Sequence, residues 1–461
     1  MKINWFSPLQ PASTDIAHYT GRVLPALQSR AQVTLWTDQA EWDRSLETIC
    51  EVRRFNPLQM DWAEMNRADI SVYNIGNNPL FHGAIWQVSR RHSGIVVLHD
   101  IRLHHFFDGL YRVAWRDLPA YLNAMQFYYG EEGARDAAEC FAENARNIDY
   151  MAEKYPLTEH AAENAIGLLV HTREAFERLK ADSLCPVAYA PLPFSHCGMR
   201  IADCGLESGA KTHTVDSIQP FLNPQSEIRI PQSLAPPFRL IVFGYLSRNR
   251  RLDTILEAFA ELPEREQFRM DIYGEILVNE RRLRSRVRSL GLKSLVTLHG
   301  FAPEAELDAA LSRTHMAINL RYPTMGEASG SQLRIWAHAL PSMVSRTGWY
   351  ATLSEEAVSF VRVENEKEDI QSNLKAFLKD PERFALAGRK GREILEKFHS
   401  PEAYAHAIVS LAESARAFRP RAGFMKLACT AGARARDLFG TNVADELLRR
   451  ISEKIHAMGA G

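Results

Sequence analysis

Residues 323–349 read PTMGEASGSQLRIWAHALPSMVSRTGW and combine four local patterns in a short span. A turn is followed by a loop of small residues, a helix pattern that opens at about Gly330 or Ser331, and the apolar strand pattern PSMVSR. The strand pattern HMAINLR lies just before them. A helix between two short apolar strands is the repeating unit of an α/β domain with a parallel sheet.

The same alternation of strand and helix patterns continues over most of the chain. In the second half, the strand patterns are FRLIVFGYL, FRMDIYGE and LVTLHG, and the helix patterns between them are RLDTILEAFAEL, RRLRSRVRSLG and EAELDAALSR. In the first half, the strand patterns are KINWFSP, QVTLWT, ADISVYNIG, SGIVVLHD and NAIGLLVHT, with helix patterns TDIAHYTGRVLPALQSR and REAFERLKA. Continuous apolar runs such as SGIVVLHD are typical of parallel strands buried on both faces.

These patterns predict an α/β protein with two tandem doubly wound, Rossmann-like domains that face a central cleft. A chain of 461 residues is long enough for this, since a single core stops growing at roughly 250–300 residues. The predicted N-terminal domain is 1–195, the Pro-, Ser- and Gly-rich linker 196–236, the second domain 237–400, and the C-terminal helices and tail 401–461. We expect the helix at about 400–418 to close the second domain.

An aromatic-rich helical insertion interrupts the first domain at about 103–163. Aromatic residues at helical spacing usually pack a core, so a small helical subdomain is the favoured interpretation. The alternative is a surface for an acceptor or a membrane. The basic segment from Arg419 to Arg436 leaves a similar choice open between contact with an anionic membrane surface and a solvated helix pair.

Composition excludes several classes of protein. The net charge of −1 and the pI of about 7.0 argue against a nucleic-acid binder, which would carry a basic excess. Neither a signal peptide nor a transmembrane run of about 18 apolar residues is predicted, and a cytoplasmic location is expected. The six scattered cysteines lack a CxxC pair, so SHCGMRIADC, with His196, Cys197 and Cys204, is not read as a zinc site, and no metal is predicted.

The loop GYLSRNRR places three arginines just after a buried strand of the second domain. Ligands of open α/β sheets bind at the carboxyl ends of the strands, and guanidinium groups match phosphate oxygens. Three arginines before a helix N-terminus oppose its dipole unless an anion is present. We therefore predict that Gly244, Arg248 and above all Arg250 belong to a diphosphate site, although a solvated helix start would tolerate the same charges.

The small-residue loop before the helix at Gly330 is the second part of the predicted site. Unpaired N–H groups at a helix N-terminus bind anions, and small residues allow close backbone approach. Glu327 would repel a phosphate, but its carboxylate oxygens can accept hydrogen bonds from sugar hydroxyls. The alternative role for Glu327 is a partner of the helix dipole.

In the first domain, VVLHDIRLHH ends a buried strand with His99 and Asp100. A histidine at this place can donate to a sugar hydroxyl or shuttle a proton. His104 and His105 follow within about one helical turn, so at least one cleft contact is expected from the group. Each of them could instead be a satisfied polar residue at a strand end.

The order and spacing of FSPLQPASTDIAHY, VVLHD, VFGYLSRNRRLDTILEAF, VTLHGF and GEASGSQLRIWAHALPSMVS resemble the retaining glycosyltransferases of family 4, which have the GT-B fold. The resemblance spans roughly 1–195 and 236–416. It implies metal-independent, front-face transfer of a sugar from a nucleotide-diphospho-sugar to a glycan or lipid-linked acceptor, with retention of anomeric configuration and no cofactor. It implies that the N-terminal domain binds the acceptor and that the second domain binds the nucleotide sugar. It gives Arg250 to the diphosphate and Glu327 to the donor sugar, and it implies backbone N–H donors at Ser331, Gln332 and Leu333.

The sequence departs from the family pattern at three positions. The family's earlier basic residue in the diphosphate loop is replaced by Tyr245, so Arg248 is expected to supply that charge. Ile335 stands where the second Glu of the motif grips the ribose, which leaves the ribose to Arg334 or a neighbouring loop. Asp15 replaces a glycine of the first loop. Two alternatives therefore stay open: a sugar-nucleotide 2-epimerase-like enzyme and a non-catalytic GT-B subunit.

Overall fold

The computed structural model describes residues 1–140, 147–195, 235–277 and 279–439, together with residues 446, 449–450 and 453–454. Most of the predicted linker, including His196, Cys197 and Cys204, lies outside these residues. The described chain divides into two units. The first unit comprises Met1–Pro191, Met325–Glu327 and Pro401–Gly461, and the second comprises Leu192–Thr324 and Ala328–Ser400.

The first unit is built on a parallel seven-stranded sheet with the order β3-β2-β1-β4-β5-β6-β7. Its strands are β1 (Lys2–Phe6), β2 (Gln32–Thr37), β3 (Glu51–Arg54), β4 (Ile70–Ile75), β5 (Gly94–Leu98), β6 (Ala165–Val170) and β7 (Val187–Tyr189). The central strands β4 and β5 are buried along their whole length. This burial accounts for the continuous apolar sequence of β5, whereas β4 also buries the polar Ser71 and Asn74.

Helices connect the strands of the first sheet as crossovers. They are α1 (Asp15–Gln28), α2 (Trp62–Met65), α3 (Pro79–Ser89), α4 (His104–Asp108), α5 (Leu118–Cys140), α6 (Ile148–Lys154), α7 (Thr158–Ala161) and α8 (Arg173–Asp182). A π-helical turn covers Gly109–Ala114, and α5 is interrupted at Gly130, where φ is +67°.

The insertion formed by α4 to α7 packs much of its aromatic content inward. Phe106, Phe107 and Tyr121 are fully buried in the same core as Trp86. Phe127, in contrast, is 81% exposed. The aromatic residues therefore serve mainly as core, as helical spacing indicates, and leave a minority on the surface.

The second unit is built on a parallel six-stranded sheet with the order β10-β9-β8-β11-β12-β13. Its strands are β8 (Phe238–Phe243), β9 (Phe268–Tyr273), β10 (Val296–Gly300), β11 (Met316–Asn319), β12 (Ser342–Ser345) and β13 (Ser359–Val361). Its helices are α9 (Leu252–Ala260), α10 (Glu280–Ser289), α11 (Glu304–Leu311), α12 (Gly330–Ala337), α13 (Glu366–Lys379) and α14 (Pro381–Phe398).

The last helix, α15 (Pro401–Phe439), packs on the first unit. Its residues Ile408 and Ala415 are buried, and the hydroxyl of Tyr404 accepts a hydrogen bond from that of Tyr19 in α1 at 2.7 Å. Gly167 of β6 allows this close packing, because a Cβ there would lie 3.2 Å from Cβ of Ala415. The prediction that this helix closes the second domain is wrong, because it packs on β6 and α1 of the first unit.

Candidate active site

The turn after β8 brings the Arg250 side chain back over the end of its own strand. Gly244 follows β8 with φ at +114°, and a Cβ there would lie 2.5 Å from Nη2 of Arg250. Only glycine accepts both this backbone conformation and this approach. The chain then forms a 3₁₀ turn over Arg248–Arg250 that directs the Arg250 guanidinium inward.

The buried Arg250 guanidinium joins two further elements of the second unit. Its Nη1 donates to Oδ1 of Asn319 at 2.6 Å, and its Nη2 donates to Oγ of Ser331 at 3.0 Å. Asn319 is the last residue of β11, and Ser331 lies in the first turn of α12. The fixed cation therefore lies at the carboxyl ends of β8 and β11 and beside the N-terminus of α12, where open α/β sheets bind ligands.

A buried amide relay fixes the orientation of Asn319. Nδ2 of Asn319 donates to Oε1 of Gln332 at 3.0 Å, and Nε2 of Gln332 donates to Oγ of Ser342 at 2.8 Å. With its Nδ2 occupied in this way, Asn319 must present its oxygen to the guanidinium. The sequence predicted only a backbone role for Gln332, but its side chain also orders the site.

Ser329 caps the first turn of α12. The cap leaves fewer backbone N–H groups for an anion than the three predicted from the sequence. Ser329 Oγ accepts from the N–H of Gln332 at 3.1 Å, and Ser329 O accepts from that of Leu333 at 3.2 Å. Among the described residues, none accepts from the N–H of Gly330 or Ser331. These two N–H groups are the anion donors that this helix end offers.

The other two arginines of the loop differ from Arg250. Arg248 is exposed, and Arg251 is bound by Glu366, whose Oε2 lies 2.6 Å from Nη2 of Arg251. Tyr245 is half-buried and brings no positive charge. One fixed cation, Arg250, and one exposed cation, Arg248, thus remain for an anionic ligand in this loop.

Ile335, at the position where the family pattern has a ribose-binding Glu, has an apolar side chain that solvent does not reach. Ile335 is fully buried among apolar residues of β8, α11 and β11. The neighbouring Arg334 guanidinium donates to Oδ1 of Asp308 at 2.9 Å and to Oε1 of Glu304 at 3.3 Å. Burial opposes ionisation of Asp308, but His338 and Arg334 outweigh it and lower the pKa of Asp308 to about 2. Arg334 is therefore part of a structural ion-pair network.

Glu327 lies in a short segment that belongs to the first unit. The carbonyl oxygen of Met325 accepts from the N–H groups of Ile101 and Arg102, both at 3.0 Å. Oε2 of Glu327 accepts from the N–H of Met325 at 2.6 Å. Gly326 has φ at +79°, and a Cβ there would lie 2.0 Å from Ile101. The Glu327 carboxylate is therefore held by a tight local turn beside the segment that follows β5.

The ring of His99 is held in one tautomer at the end of β5. Nδ2 of Asn74 donates to the carbonyl oxygen of Phe6 at 3.0 Å, so Oδ1 is the Asn74 atom that faces Nε2 of His99 at 3.1 Å. Since that oxygen can only accept, His99 carries its proton on Nε2 and presents Nδ1 as an acceptor. Burial, aided by His171 and His82, lowers the pKa of His99 well below its usual value.

Neutral rings surround His99. Its ring centroid lies 4.8 Å from that of Tyr19 and 4.9 Å from that of His171. Nδ1 of His171 donates to the carbonyl of Ala190 at 3.2 Å, and Nδ1 of His82 donates to that of Asn74 at 2.9 Å. Burial lowers the pKa of both His171 and His82 to about 4. The cluster therefore keeps His99 neutral and rigid.

The remaining polar residues of the first unit's loops have local partners. Oδ2 of Asp100 accepts from the N–H of Asn77 at 2.9 Å and so braces the loop before α3. His104 is bound on both ring nitrogens, by the carbonyl of Tyr155 at 2.6 Å and by the hydroxyl of Tyr121 at 2.7 Å. Asp15 is exposed in the first turn of α1, where a carboxylate complements the helix dipole.

The family comparison covers the unit that contains Arg250. Residues 225–394 match the family model described as Glycosyl transferases group 1. This match covers less than half of the chain and supports a glycosyltransferase domain in the second unit. The match includes β8, the Arg250 turn and α12, so the polar network around Arg250 lies within the matched residues. No curated protein sequence matches the chain significantly.

Solved structures share the fold of nearly the whole chain. A sucrose-phosphate synthase from Thermosynechococcus elongatus is 16% identical, with a TM-score of 0.56 over 90% of this chain and 98% of the synthase. HepE of Anabaena in complex with UDP and glucose is 13% identical, with a TM-score of 0.55 over 90% of this chain and 100% of HepE. WaaG, a glycosyltransferase involved in lipopolysaccharide biosynthesis, is 13% identical, with a TM-score of 0.51 over 88% of this chain and 98% of WaaG.

These likenesses establish the architecture. The two parallel-sheet, Rossmann-like domains are those of GT-B glycosyltransferase structures, and the predicted α/β fold class is confirmed. Within the described residues, no cluster of three or more His, Cys, Asp or Glu has the arrangement of a metal site. No helix of that same part of the chain is both long and apolar enough to cross a membrane.

Proposed function

We propose that the chain is a retaining glycosyltransferase that moves a sugar from a nucleotide-diphospho-sugar to a hydroxyl of a glycan or glycolipid acceptor, without a metal ion. The observation that carries the proposal is the buried Arg250 guanidinium, fixed by Asn319 and Ser331 beside the N-terminus of α12. A buried, preorganised cation next to unpaired N–H groups suits a diphosphate.

In the proposed reaction, the bond between C1 of the donor sugar and the diphosphate oxygen breaks. The acceptor hydroxyl forms the new C1–O bond on the same face, and its proton passes to the departing diphosphate. Arg250 and the N–H groups of Gly330 and Ser331 stabilise the negative charge that develops on the leaving group. Glu327 accepts hydrogen bonds from donor-sugar hydroxyls, and His99 accepts one through Nδ1.

The comparisons support a nucleotide sugar as donor. HepE was solved with UDP and glucose and with UDP-glucose, and WaaG acts in lipopolysaccharide biosynthesis. The group 1 glycosyltransferase domain supports transfer over epimerisation, and the buried Arg250 network supports a ligand-binding site over a non-catalytic subunit.

We further propose that the protein works in the cytoplasm, in peripheral contact with an anionic membrane surface where its acceptor is lipid-linked. The second half of α15 supports this contact, because Arg421, Lys426 and Arg434 are exposed and Leu427 is 59% exposed. Co-sedimentation with phosphatidylglycerol vesicles, but not with phosphatidylcholine vesicles, is the expected result. Equal recovery with both kinds of vesicle would contradict the membrane contact.

A panel of nucleotide sugars tests the function directly. A donor should raise the melting temperature by mass action and be consumed when an acceptor glycan is supplied. The product should keep the anomeric configuration of the donor by NMR, and a chelator should leave the rate unchanged. An inverted product would contradict the retaining mechanism, and no response to any nucleotide would favour the non-catalytic subunit.

Replacement of Glu327 by Gln should lower transfer by about 10- to 100-fold, since a charged acceptor for sugar hydroxyls is worth about 1.5–3 kcal/mol. Gln keeps an oxygen for the N–H of Met325, so the turn and the melting temperature should be retained. The exposed Glu356, replaced in the same way, serves as control. Full activity in Glu327→Gln would remove Glu327 from the site.

A further inference from the structure

The turn that joins α6 to α7 in the helical insertion contacts the segment 101–103, which follows β5. The N–H of Leu103 donates to the carbonyl of Pro156 at 2.8 Å, and the hydroxyl of Thr158 donates to the carbonyl of Ile101 at 2.5 Å. Thr158 is fully buried, so water does not compete for this hydroxyl. The insertion is therefore bonded directly to the segment 101–103.

The same turn holds a strained backbone conformation. Leu157 has φ at +57° and ψ at +27°, in the left-handed region that a bulky side chain rarely adopts. Its N–H is held by the hydroxyl of Tyr129 at 2.6 Å, and its side chain is fully buried. Such strain persists only where the surrounding structure enforces it, and it is concentrated at functional sites. The strained residue directly precedes Thr158, whose hydroxyl makes the contact with Ile101.

The peptide group between Ile101 and Arg102 transmits this contact. The peptide is planar and trans, so its carbonyl and its N–H point in opposite directions. Thr158 holds the carbonyl, and the N–H donates to the carbonyl of Met325 at 3.0 Å. The Thr158 hydroxyl thereby fixes the plane that aims this N–H at Met325. It also strengthens the second hydrogen bond, because hydrogen bonds in a chain polarise one another.

Met325 connects that peptide to the Glu327 carboxylate. Its carbonyl is held by the Arg102 N–H, and its own N–H donates to Oε2 of Glu327 at 2.6 Å. The intervening Gly326 lies against Ile101, since a Cβ on the glycine would come within 2.0 Å of the isoleucine side chain. A path of hydrogen bonds inside the first unit therefore ends at the Glu327 carboxylate.

We propose that Thr158 is a positioning residue for Glu327, and that the helical insertion serves the site through this turn. Thr158 acts through the Ile101–Arg102 peptide and not by touching the donor. That peptide holds the turn that presents the Glu327 carboxylate to sugar hydroxyls. The effect on sugar binding rests on the proposed glycosyltransferase function, whereas the anchoring of the Glu327 turn rests on the geometry alone.

Hydrogen exchange measures the anchoring without a substrate. Thr158→Val keeps nearly the same shape but lacks the hydroxyl, so amide exchange in peptides covering 100–104 and 324–328 of the full chain should become about tenfold faster. The control Tyr155→Phe removes a hydroxyl bonded to Asp136 at 2.8 Å in the same insertion and should leave both peptides unchanged. Unchanged exchange in Thr158→Val would overturn the proposal. If that variant does not fold, Thr158→Ser and Thr158→Ala give the same comparison, because they differ only in the hydroxyl.

Ligand binding tests the link to the sugar. Thr158→Val should weaken the binding of a nucleotide sugar about tenfold and leave that of the corresponding nucleoside diphosphate unchanged, because only contacts to sugar hydroxyls are lost. Thr158→Ser should restore the affinity, since it keeps the hydroxyl. In the Glu327→Gln background, Thr158→Val should cause no further loss, because both changes act on one contact.

Two results of the binding experiment would overturn the positioning role of Thr158. One is an equal loss for the nucleotide sugar and for the nucleoside diphosphate, and the other is an additive loss in the double variant. If no nucleotide sugar binds the wild type, the proposed function fails. Faster exchange in Thr158→Val would still show in that case that Thr158 anchors the Glu327 turn.

Discussion

At the scale of single residues, Asn74 decides what His99 can do. The carbonyl of Phe6 can only accept, so it dictates which end of the Asn74 amide faces His99, and the amide oxygen in turn dictates the tautomer of the imidazole. His99 is thereby presented as a neutral acceptor. From the sequence, His99 could be a donor or a proton shuttle. The donor role does not agree with a ring whose donor atom is used inside the protein, and the shuttle role does not agree with a pKa that burial holds well below its usual value.

Replacement of Asn74 should change this tautomer. In the wild type, long-range ¹H–¹⁵N spectra of labelled histidine should show His99 protonated at Nε2 at neutral pH. Asn74→Leu removes the acceptor and should lose that preference, whereas Asn74→Asp should raise the pKa of His99 because a carboxylate favours the imidazolium. His104, which has its own partners, is the internal control. An unaltered His99 spectrum in both variants would contradict the tautomer assignment.

Arg250 and Arg248 should differ sharply when each is replaced. Arg250→Lys loses the fork that reaches both Asn319 and Ser331, so nucleoside diphosphate binding should weaken about 10- to 100-fold by calorimetry. Arg248 is exposed, and Arg248→Lys should change affinity by less than about threefold. Equal losses in the two variants would show that burial does not distinguish them.

A residue of this site could be predicted from the sequence only where its role depends on the strand end beside it, and not on a contact with a distant element. Arg250, Ser331 and Glu327 stand out because they flank strand ends in the sequence. Asn319 and Gln332 do not, since an amide in a strand and an amide in a helix gain their roles only when β11 and α12 are brought together. The apolar Ile335 was visible in the sequence, but its burial depends on α11 packing over it.

At the scale of elements, periodicity predicted the strands well and their covering helices less well. β5 and β6 coincide with continuous apolar runs, whereas the short β3, with the sequence EVRR, carries no such signal. In α15, the spacing of Ile408 and Ala415 indicates a buried face but not the surface that covers it. That surface is β6 and α1 of the first unit, and only the folded chain reveals it.

The turn between β8 and α9 depends on a glycine. In Gly244→Ala, the added Cβ would meet the Arg250 guanidinium, and the backbone strain alone costs about 1–3 kcal/mol. We expect a lower melting temperature together with loss of nucleoside diphosphate binding. Gly291→Ala is the matched control, because φ is +71° there but nothing lies within 4 Å of its Cβ. Binding that survives in Gly244→Ala would separate the turn from the diphosphate site.

At the scale of the whole molecule, buried histidines make the stability of the first unit depend on pH. Burial lowers the pKa of His82, His104 and His171 to about 4, against an ordinary value of about 6.5. The unfolded chain therefore binds more protons than the folded chain between these values. The stability that these neutral histidines contribute is fully present above about pH 6.5 and is lost as the pH falls towards 4.

The expected loss is about 2 kcal/mol per histidine between pH 7 and pH 5, measured as the free energy of unfolding in urea. In His171→Asn, the amide can still donate to Ala190, but the titrating group is gone, so the difference between the two pH values should shrink by about that amount. The exposed His406→Asn should leave it unchanged. Asp308 does not interfere, since with a pKa of about 2 it loses its contribution only below about pH 4. An equal pH dependence in His171→Asn and the wild type would mean that His171 is not held neutral by the fold.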